Sequence, residues 1–260
     1  MTRTRDRFLP LAFWGIFLLA WQAAFLFVGW RPWLFPAPSH VLEAVRQLFS
    51  PATHVGLPGA LVVSLLRLVT GFALSIVVAV PFGFAMAQSK TVDRVLGGVF
   101  LGVQTLPSVC WAPLAVLTFG LGEAGILFVQ VMGSSFAVAI AFRDGVKTVA
   151  PRFEDVGRMF GARGLRLYRH VLFPASLPAF VSSLRTGFSF AWRSLLGAEL
   201  VIMVQRKGLG YLLHEGREFA DLGQVLAVMG AMVVVGMTVD RYAFAPLEKR
   251  IHERFGLARS

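Results

Sequence analysis

Charged residues are scarce in this sequence: 15% of its 260 residues are Asp, Glu, Lys or Arg, whereas soluble globular domains usually carry about 25%. Acidic residues are the scarcer sign, at 14 against 25 basic ones. Cys110 is the single cysteine, which excludes an intrachain disulfide and any zinc cluster built on cysteine. The five histidines lack the spacing of metal ligands, so no metal site is expected.

Apolar residues are what the chain has in excess. They make up 56% of the sequence, and the mean hydropathy is +0.69, so lipid is expected to be the main solvent. A net charge of +11 could indicate nucleic acid. In a membrane protein, however, basic residues accumulate on the cytoplasmic side, so contact with lipid and none with nucleic acid is predicted.

Six stretches are long and apolar enough to cross a bilayer, which takes about 20 residues each. They are Leu9–Trp30, Leu61–Gln88, Leu96–Phe119 (interrupted by Pro107 and Pro113), Ala124–Phe142, Leu177–Val204 and Val225–Phe244. The first is longer than the apolar region of a signal peptide, so it is interpreted as a span. The sequence therefore predicts an all-α membrane protein with six transmembrane helices.

The basic residues predict the orientation of these spans. With the N-terminus inside, seventeen of the 25 basic residues fall in cytoplasmic segments, five fall in outer segments, and Arg67, Arg185 and Arg193 lie within spans. This bias follows the positive-inside rule and places both termini in the cytoplasm of a multi-pass inner-membrane protein.

The predicted chain has four parts. They are an N-terminal tail with the first span (1–30), a periplasmic loop with a short surface helix (31–60), a five-helix core with a cytoplasmic loop at 143–174 (61–244), and a cytoplasmic C-terminal tail (245–260). In the periplasmic loop, Ser39 is a candidate N-cap, and Val41, Val45 and Leu48 form one apolar stripe.

The cytoplasmic loop predicts a helix, a glycine turn and a second helix. Pro151 suits the first turn of a helix, and Gly161 and Gly164 are stop signals. A second short helix is predicted from about Leu165 to Phe173, ending at Pro174. The first helix carries the apolar residues Phe153, Val156, Met159 and Phe160. These either anchor it in a groove of a partner protein or pack beneath the chain's own spans.

The same loop resembles the signature of permease subunits of ATP-driven (ABC-type) importers. That signature is Glu-Ala-Ala, a glycine four residues later, and then a spaced apolar–x–Leu–Pro. The matching positions are Asp155-Val156-Gly157, Gly161 and Val171-Leu172-Phe173-Pro174. The spacing agrees, while Asp155 replaces the usual glutamate, Val156 and Gly157 replace alanines, and Phe173 replaces leucine.

The resemblance covers nearly the whole chain. Within that family, the chain is similar to the branch that transports nitrate, sulfonate, taurine and bicarbonate. Its supporting stretches are Leu34-Phe35-Pro36-Ala37-Pro38-Ser39, Ser64-Leu65-Leu66-Arg67, Gly71-Phe72, Leu106-Pro107-Ser108, Trp111-Ala112-Pro113-Leu114, Phe119-Gly120-Leu121-Gly122-Glu123, Gly197-Ala198-Glu199-Leu200 and Gly208-Leu209-Gly210-Tyr211-Leu212.

The resemblance implies a type I importer permease fold and a set of partners. Two permease copies, as a homodimer, would work with two ATPase subunits, and a periplasmic binding protein would deliver a small anionic solute. The residues implied or indicated for coupling to the ATPase are Phe153, Glu154, Asp155, Val156, Met159, Phe160, Gly161, Arg163 and Pro174. The chain has no P-loop, so it is expected to bind no cofactor, with ATP and Mg on the partner subunit.

Polar residues within the spans are candidates for a translocation path. Arg193 and Glu199 are about 240° apart on one helix, so a direct pair is not expected. Arg193 either attracts an anion or pairs with another helix. Each candidate either lines the translocation path or packs between helices. The candidates are Gln104, Ser108, Trp111, Gln130, Ser134, Ser135, Arg193 and Glu199.

Four other functions fit parts of the sequence. A permease of the same branch could carry a vitamin precursor. A secondary transporter driven by an ion gradient would be expected to show internal repeats, and none is evident. A membrane-embedded enzyme would need clustered His, Asp or Glu at one depth, and only Glu199, Glu123 and Asp240 come near. A scaffold subunit would predict no solute-dependent ATPase activity.

Overall fold

The computed structural model describes residues 2–31, 34–50, 55–147 and 151–255. Throughout these ranges the regular elements are helices and no strand occurs, which confirms the all-α prediction. The helices are α1 (Thr2–Val28), α2 (Pro38–Leu48), α3 (Leu57–Gln88), α4 (Lys90–Gln104), α5 (Ala112–Phe119), α6 (Glu123–Lys147), α7 (Pro151–Met159), α8 (Leu165–Leu167), α9 (Phe173–Val201), α10 (Leu209–Glu218), α11 (Leu222–Val239) and α12 (Ala245–Arg254).

Fewer helices than predicted meet a simple test of length and hydropathy for spanning a membrane. Among the described residues, α3, α6 and the continuous helix Leu222–Ile251 pass it, and α4 with α5 forms a bent fourth candidate. The apolar part of α1, Ala12–Val28, is shorter. Helix α9 has 29 residues, but arginines and serines interrupt its apolar character. Six spans are therefore not confirmed by composition and length alone.

The third predicted span, Leu96–Phe119, is broken rather than straight, in line with the interruption predicted there. Helix α4 ends at Gln104, a 3₁₀ turn covers Ser108–Trp111, and α5 leaves at 97° to α4. Pro107 at the break cannot donate a helical hydrogen bond, whereas Pro113 sits in the first turn of α5, where no such bond is needed.

The short helix predicted within residues 31–60 is present as α2, but its cap differs from the prediction. Ala37 is the N-cap residue and Pro38 opens the helix, so Ser39 lies inside the first turn. The Nδ1 atom of His40, at the third helical position, accepts a hydrogen bond of 3.1 Å from the backbone amide of Ala37, the contact that a glutamate or glutamine makes there in a capping box.

The second helix predicted for the loop at 143–174 does not end at Pro174. Helix α8 passes through a π-helical turn at Tyr168–Leu172 directly into α9, with Pro174 in the first turn of α9. The π turn accommodates the missing proline amide without breaking the helix. At the other end of the chain, α11 likewise continues through a π turn, Asp240–Phe244, into α12, so residues 245–254 of the predicted tail are helical.

The chain divides into two compact units. The first comprises Met1–Val63 and Lys207–Val233, where Trp21 and Phe35 stack at 5.8 Å between ring centroids. Asp221 caps α11 there by accepting from the amide of Gln224 at 3.0 Å.

The second unit, Ser64–Arg206 and Val234–Ser260, is organised around α6. The apolar window of α6 is 56% buried, against 28% for α3 and 22% for Leu222–Ile251, so α6 is the central helix. A core cluster of Ala79, Met86, Phe100, Val138 and Ala139 joins α3, α4 and α6.

Gly83 marks the closest approach of α3 to the backbone of α6. A Cβ atom at Gly83 would lie 2.7 Å from the carbonyl oxygen of Ala139, which cannot move aside as a side chain can. We expect Gly83→Ala to lower the free energy of unfolding by about 1–3 kcal/mol through overpacking. Unfolding of the purified chain in detergent would measure this.

Gly98→Ala is the matched control, since a Cβ atom at Gly98 meets nothing within 4 Å. Alanine is the better helix former there, so stability should be unchanged or rise by up to about 1 kcal/mol. Equal effects of the two substitutions would contradict the close contact.

Candidate functional site

A buried arginine on α3 joins α6 and α9. Arg67 is 5% exposed and binds Glu123 at the start of α6 through two parallel bonds, Nε–Oε2 at 2.7 Å and Nη2–Oε1 at 2.6 Å. Its Nη1 atom donates to Oε1 of Glu199 on α9 at 2.7 Å. Such bidentate, charge-assisted bonds are short and fix orientation as well as distance.

The same network is completed by neutral groups. Ser64, one helical turn before Arg67, lies within 2.9 Å and 2.8 Å of the two carboxylate oxygens of Glu199. The carbonyl oxygen of Arg206 accepts from Nη2 of Arg67 at 2.6 Å. Glu199 is 2% exposed, so these contacts replace the water it has lost. The predicted path residue Glu199 therefore lies inside the protein and links helices.

A second arginine, in the N-terminal half of α9, is also neutralised. Arg185 binds both carboxylate oxygens of Asp240 at 2.6 and 2.7 Å, and its Nη1 atom donates to Glu248 at 2.8 Å. Ser182 donates to the other oxygen of Glu248 at 2.8 Å. These contacts hold the helix that continues from α11 against α9.

The third arginine of the spans, Arg193, is exposed and faces a cleft of about 350 Å³. Its guanidinium stacks over the ring of Phe190 at 4.8 Å, and its Nε atom donates to the carbonyl of Ser189 at 3.0 Å. As predicted, Arg193 and Glu199 lie on different faces of α9. The cleft is lined by Gln104, Thr105, Leu106, Pro107, Ser108, Val109, Gly133, Phe190, Arg193, Ser194 and Gly197.

Three of the eight predicted path residues, Gln104, Ser108 and Arg193, share this cleft. Trp111 is half-buried beyond its lining. The other four are buried between helices; they are Gln130, Ser134, Ser135 and Glu199. Ser134 shares a 2.7 Å hydrogen bond with Ser75 of α3, so its contact joins two helices.

Helix α7 packs on one side and is open on the other. Gly157 is buried, and a Cβ atom there would lie 2.6 Å from Leu167 and 3.0 Å from Val171, so glycine permits this close approach. On the open side, Met159 is 86% and Phe160 is 87% exposed. These two apolar side chains therefore do not pack beneath the chain's own spans.

The remaining predicted coupling residues surround this exposed face. Phe153 and Val156 are 46% and 50% exposed, and Asp155 and Arg163 are exposed. Gly161 has φ +80°, a left-handed conformation that favours glycine and ends the helix. Pro174 lies in the first turn of α9, away from α7 in sequence. The side chain of Glu154 lies outside the described residues.

Comparison with known proteins identifies the family. Residues 79–252 match the family of binding-protein-dependent transport system inner membrane components. The chain belongs to this family of ABC importer permeases, and its class is that of a multi-pass inner-membrane transport protein rather than an enzyme.

Individual relatives agree with this family. The chain is 27% identical to a Methanocaldococcus jannaschii chain described as an ABC transporter permease protein, over 92% of this chain and 89% of the relative. It is 25% identical to the taurine transport system permease protein of Escherichia coli, over 87% and 82%. It is 24% identical to the nitrate import permease protein of Synechocystis, over 80% and 77%.

A solved structure has the same fold. A chain of the MetNI methionine ABC transporter, in an inward-facing conformation, matches with a TM-score of 0.64 at 15% identity, covering 75% of this chain and 95% of that chain. The type I importer permease fold is thereby confirmed.

The Arg67 network was not expected from the sequence. Arg67 stood out as a charge within a span and as part of a stretch that resembles the family, but no partner was predicted for it, and its partners lie 56 and 132 residues further along the chain. The available signal was the need for every charge in lipid to find an opposite charge. The sequence offers few carboxylates near the spans, so Glu123 and Glu199 were the natural candidates.

Removing the charge of Arg67 should destabilise the protein. We expect Arg67→Met to cost about 3–5 kcal/mol of unfolding free energy, because Glu199 is then left buried without its cation. Chemical unfolding of the purified chain in detergent would measure the loss.

The double variant Arg67→Met with Glu199→Met is the control, since it leaves no uncompensated buried charge at Glu199. It should recover much of the lost stability. A double variant as unstable as the sum of the two single variants would contradict a direct Arg67–Glu199 interaction.

Proposed function

We propose that this chain is the membrane-spanning subunit of an ATP-driven importer, coupled to separate ATPase subunits through α7. The exposed apolar face of α7 carries this proposal. A helix of nine residues is marginal in water and normally buries its apolar face. Since α7 already packs at Gly157, a groove on a partner protein accounts for the side that stays open.

The partners follow from the family and the resemblance. Two ABC ATPase subunits hydrolyse ATP with Mg, a periplasmic binding protein delivers the solute, and a second copy of this chain completes a homodimeric permease. This chain then binds no cofactor of its own. The family name and the exposed α7 face support this assembly.

The proposed topology has six transmembrane helices with both termini in the cytoplasm. Helix α9 serves as a span despite its arginines, because Arg185 is paired with Asp240 and Glu248 and Arg193 opens on a cleft. The distribution of basic residues supports the orientation and places α7 in the cytoplasm.

The solute in this proposal is a small anion of the nitrate, sulfonate, taurine or bicarbonate type. Two relatives are named for nitrate and taurine transport, and the cleft carries Arg193, which makes no ion pair with any residue that the structure describes. The path includes Gln104, Ser108 and Arg193. Trp111, Gln130, Ser134, Ser135 and Glu199 contribute by holding the surrounding helices. One alternative is a permease of the same branch that carries a vitamin precursor. The other is a secondary transporter driven by an ion gradient.

Phe160→Asp tests the coupling helix. Placing a charge in the apolar docking face should leave the folded permease intact but uncouple ATP hydrolysis from transport. The measurement is solute-stimulated ATPase activity and uptake in vesicles that hold the permease, its co-purified ATPase and the binding protein. We expect both to fall at least tenfold, since a charge at the core of an interface costs more than about 1.4 kcal/mol.

Phe255→Asp is the matched control, because Phe255 is a 38% exposed phenylalanine beyond α12, on the same predicted side of the membrane. It should leave coupling unchanged. Unchanged coupling in Phe160→Asp, or transport by the purified chain with no ATPase present, would refute the proposal.

A further inference from the structure

Arg193 differs from the other two arginines in the spans by having no carboxylate partner. Arg67 and Arg185 each bind two carboxylates, whereas within the described ranges Arg193 makes no ion pair. Its Nε atom is held by the carbonyl of Ser189, and neither Nη atom donates to a described residue. Its guanidinium therefore presents free donors and an uncompensated positive charge to the cleft.

Two serine hydroxyls lie in the same cleft. Ser194, next to Arg193 on α9, is only 2% exposed and lines the cleft, yet its hydroxyl makes no hydrogen bond to any residue that the structure describes. Ser108, in the 3₁₀ turn after Pro107, is also without a described hydrogen-bond partner. A nearly buried hydroxyl normally finds a partner, so the cleft has room for a ligand atom there.

Glycine at position 133 keeps this part of the cleft open. A Cβ atom at Gly133 would collide with the hydroxyl of Ser194 and lie 2.7 Å from Cβ of Ser108. No acidic residue is among the residues that line the cleft. Its polar side chains are thus one cation, the amide of Gln104 and three hydroxyls, of which Thr105 already donates to the carbonyl of Gly102 at 2.6 Å. The cation and the two serine hydroxyls form a donor set suited to a singly charged oxyanion.

We propose that this cleft is a binding site for a monovalent oxyanion head group, with sulfonate and nitrate sharing the required chemistry. The two Nη atoms of Arg193 bind two anion oxygens side by side, and the hydroxyls of Ser194 and Ser108 donate to them. The ring of Phe190 holds the guanidinium plane, so little side-chain freedom is lost on binding. The role of the site in transport rests on the proposed function, whereas binding itself does not.

The test uses the full-length chain purified in detergent without its ATPase. Sodium methanesulfonate and sodium nitrate are titrated against sodium chloride at constant ionic strength, and the thermal unfolding midpoint is followed. We expect both oxyanions to raise the midpoint in a saturable manner. Arg193→Gln should weaken the apparent Kd about tenfold, Arg193→Lys less, and Ser194→Ala by a smaller factor.

Arg46→Gln, which removes the same charge from an exposed position on α2, should bind as the unaltered chain does. No saturable rise in the unaltered chain, or equal rises in Arg193→Gln and the unaltered chain, would overturn the proposal. Binding that depends on Arg193 in a chain that never couples to an ATPase would support the site and refute the importer function. Coupled transport with no Arg193-dependent binding would support the importer function and refute the binding site.

Discussion

The charge of Arg67 is the constraint on which the packing of the second unit depends. An ionised side chain at this depth is tolerated only if it is paired and its hydrogen bonds are satisfied. Arg67 meets both conditions by drawing the start of α6 and the end of α9 to the same turn of α3. The bidentate geometry with Glu123 leaves little freedom in how α3 and α6 are rotated against each other.

That constraint also determines which way α9 faces. Glu199 must point inward to reach Arg67, and Leu195 and Ala198 are buried with it. Because Arg193 precedes Glu199 by six residues, about 240° around the helix, it is directed away from the Arg67 network. The exposure of Arg193 on the cleft is therefore a consequence of the ion pair made one and a half turns later on the same helix.

Local patterns predicted the helices well and their partners poorly. The periodicity of α7, its start at Pro151 and its stop at Gly161 can all be recognised from adjacent residues, as can the apolar length of α3 and α6. The two prolines in the third predicted span indicated a break, but they could not give its angle, which is 97° in the structure. The pairing of Arg67 depends on residues far apart in the chain, which no local pattern specifies.

The candidate site could be predicted only in part, because its residues also come from separate parts of the chain. Arg193 and Ser108 were predicted as polar residues within spans. Ser194 and Gly133 were not predicted, because their place in the cleft depends on how α6, α9 and the 3₁₀ turn pack together. Glycine and serine occur in most membrane helices as packing residues. Only the close approach of Gly133 to Ser194 distinguishes this pair from the others.

Helix α7 packs on a continuous helix, formed by α8, the π turn and α9, that leads to the cleft. Helix α7 rests through Gly157 on Leu167 and Val171, and the chain then runs without a break through the π turn into α9. At 29 residues, α9 is about 44 Å long. In the proposed importer, a partner that moves α7 therefore acts on the end of the helix that carries both Arg193 and Glu199. The π turn before Pro174 is an irregularity of a kind frequently found at functional sites, and it lies where such a movement would enter α9.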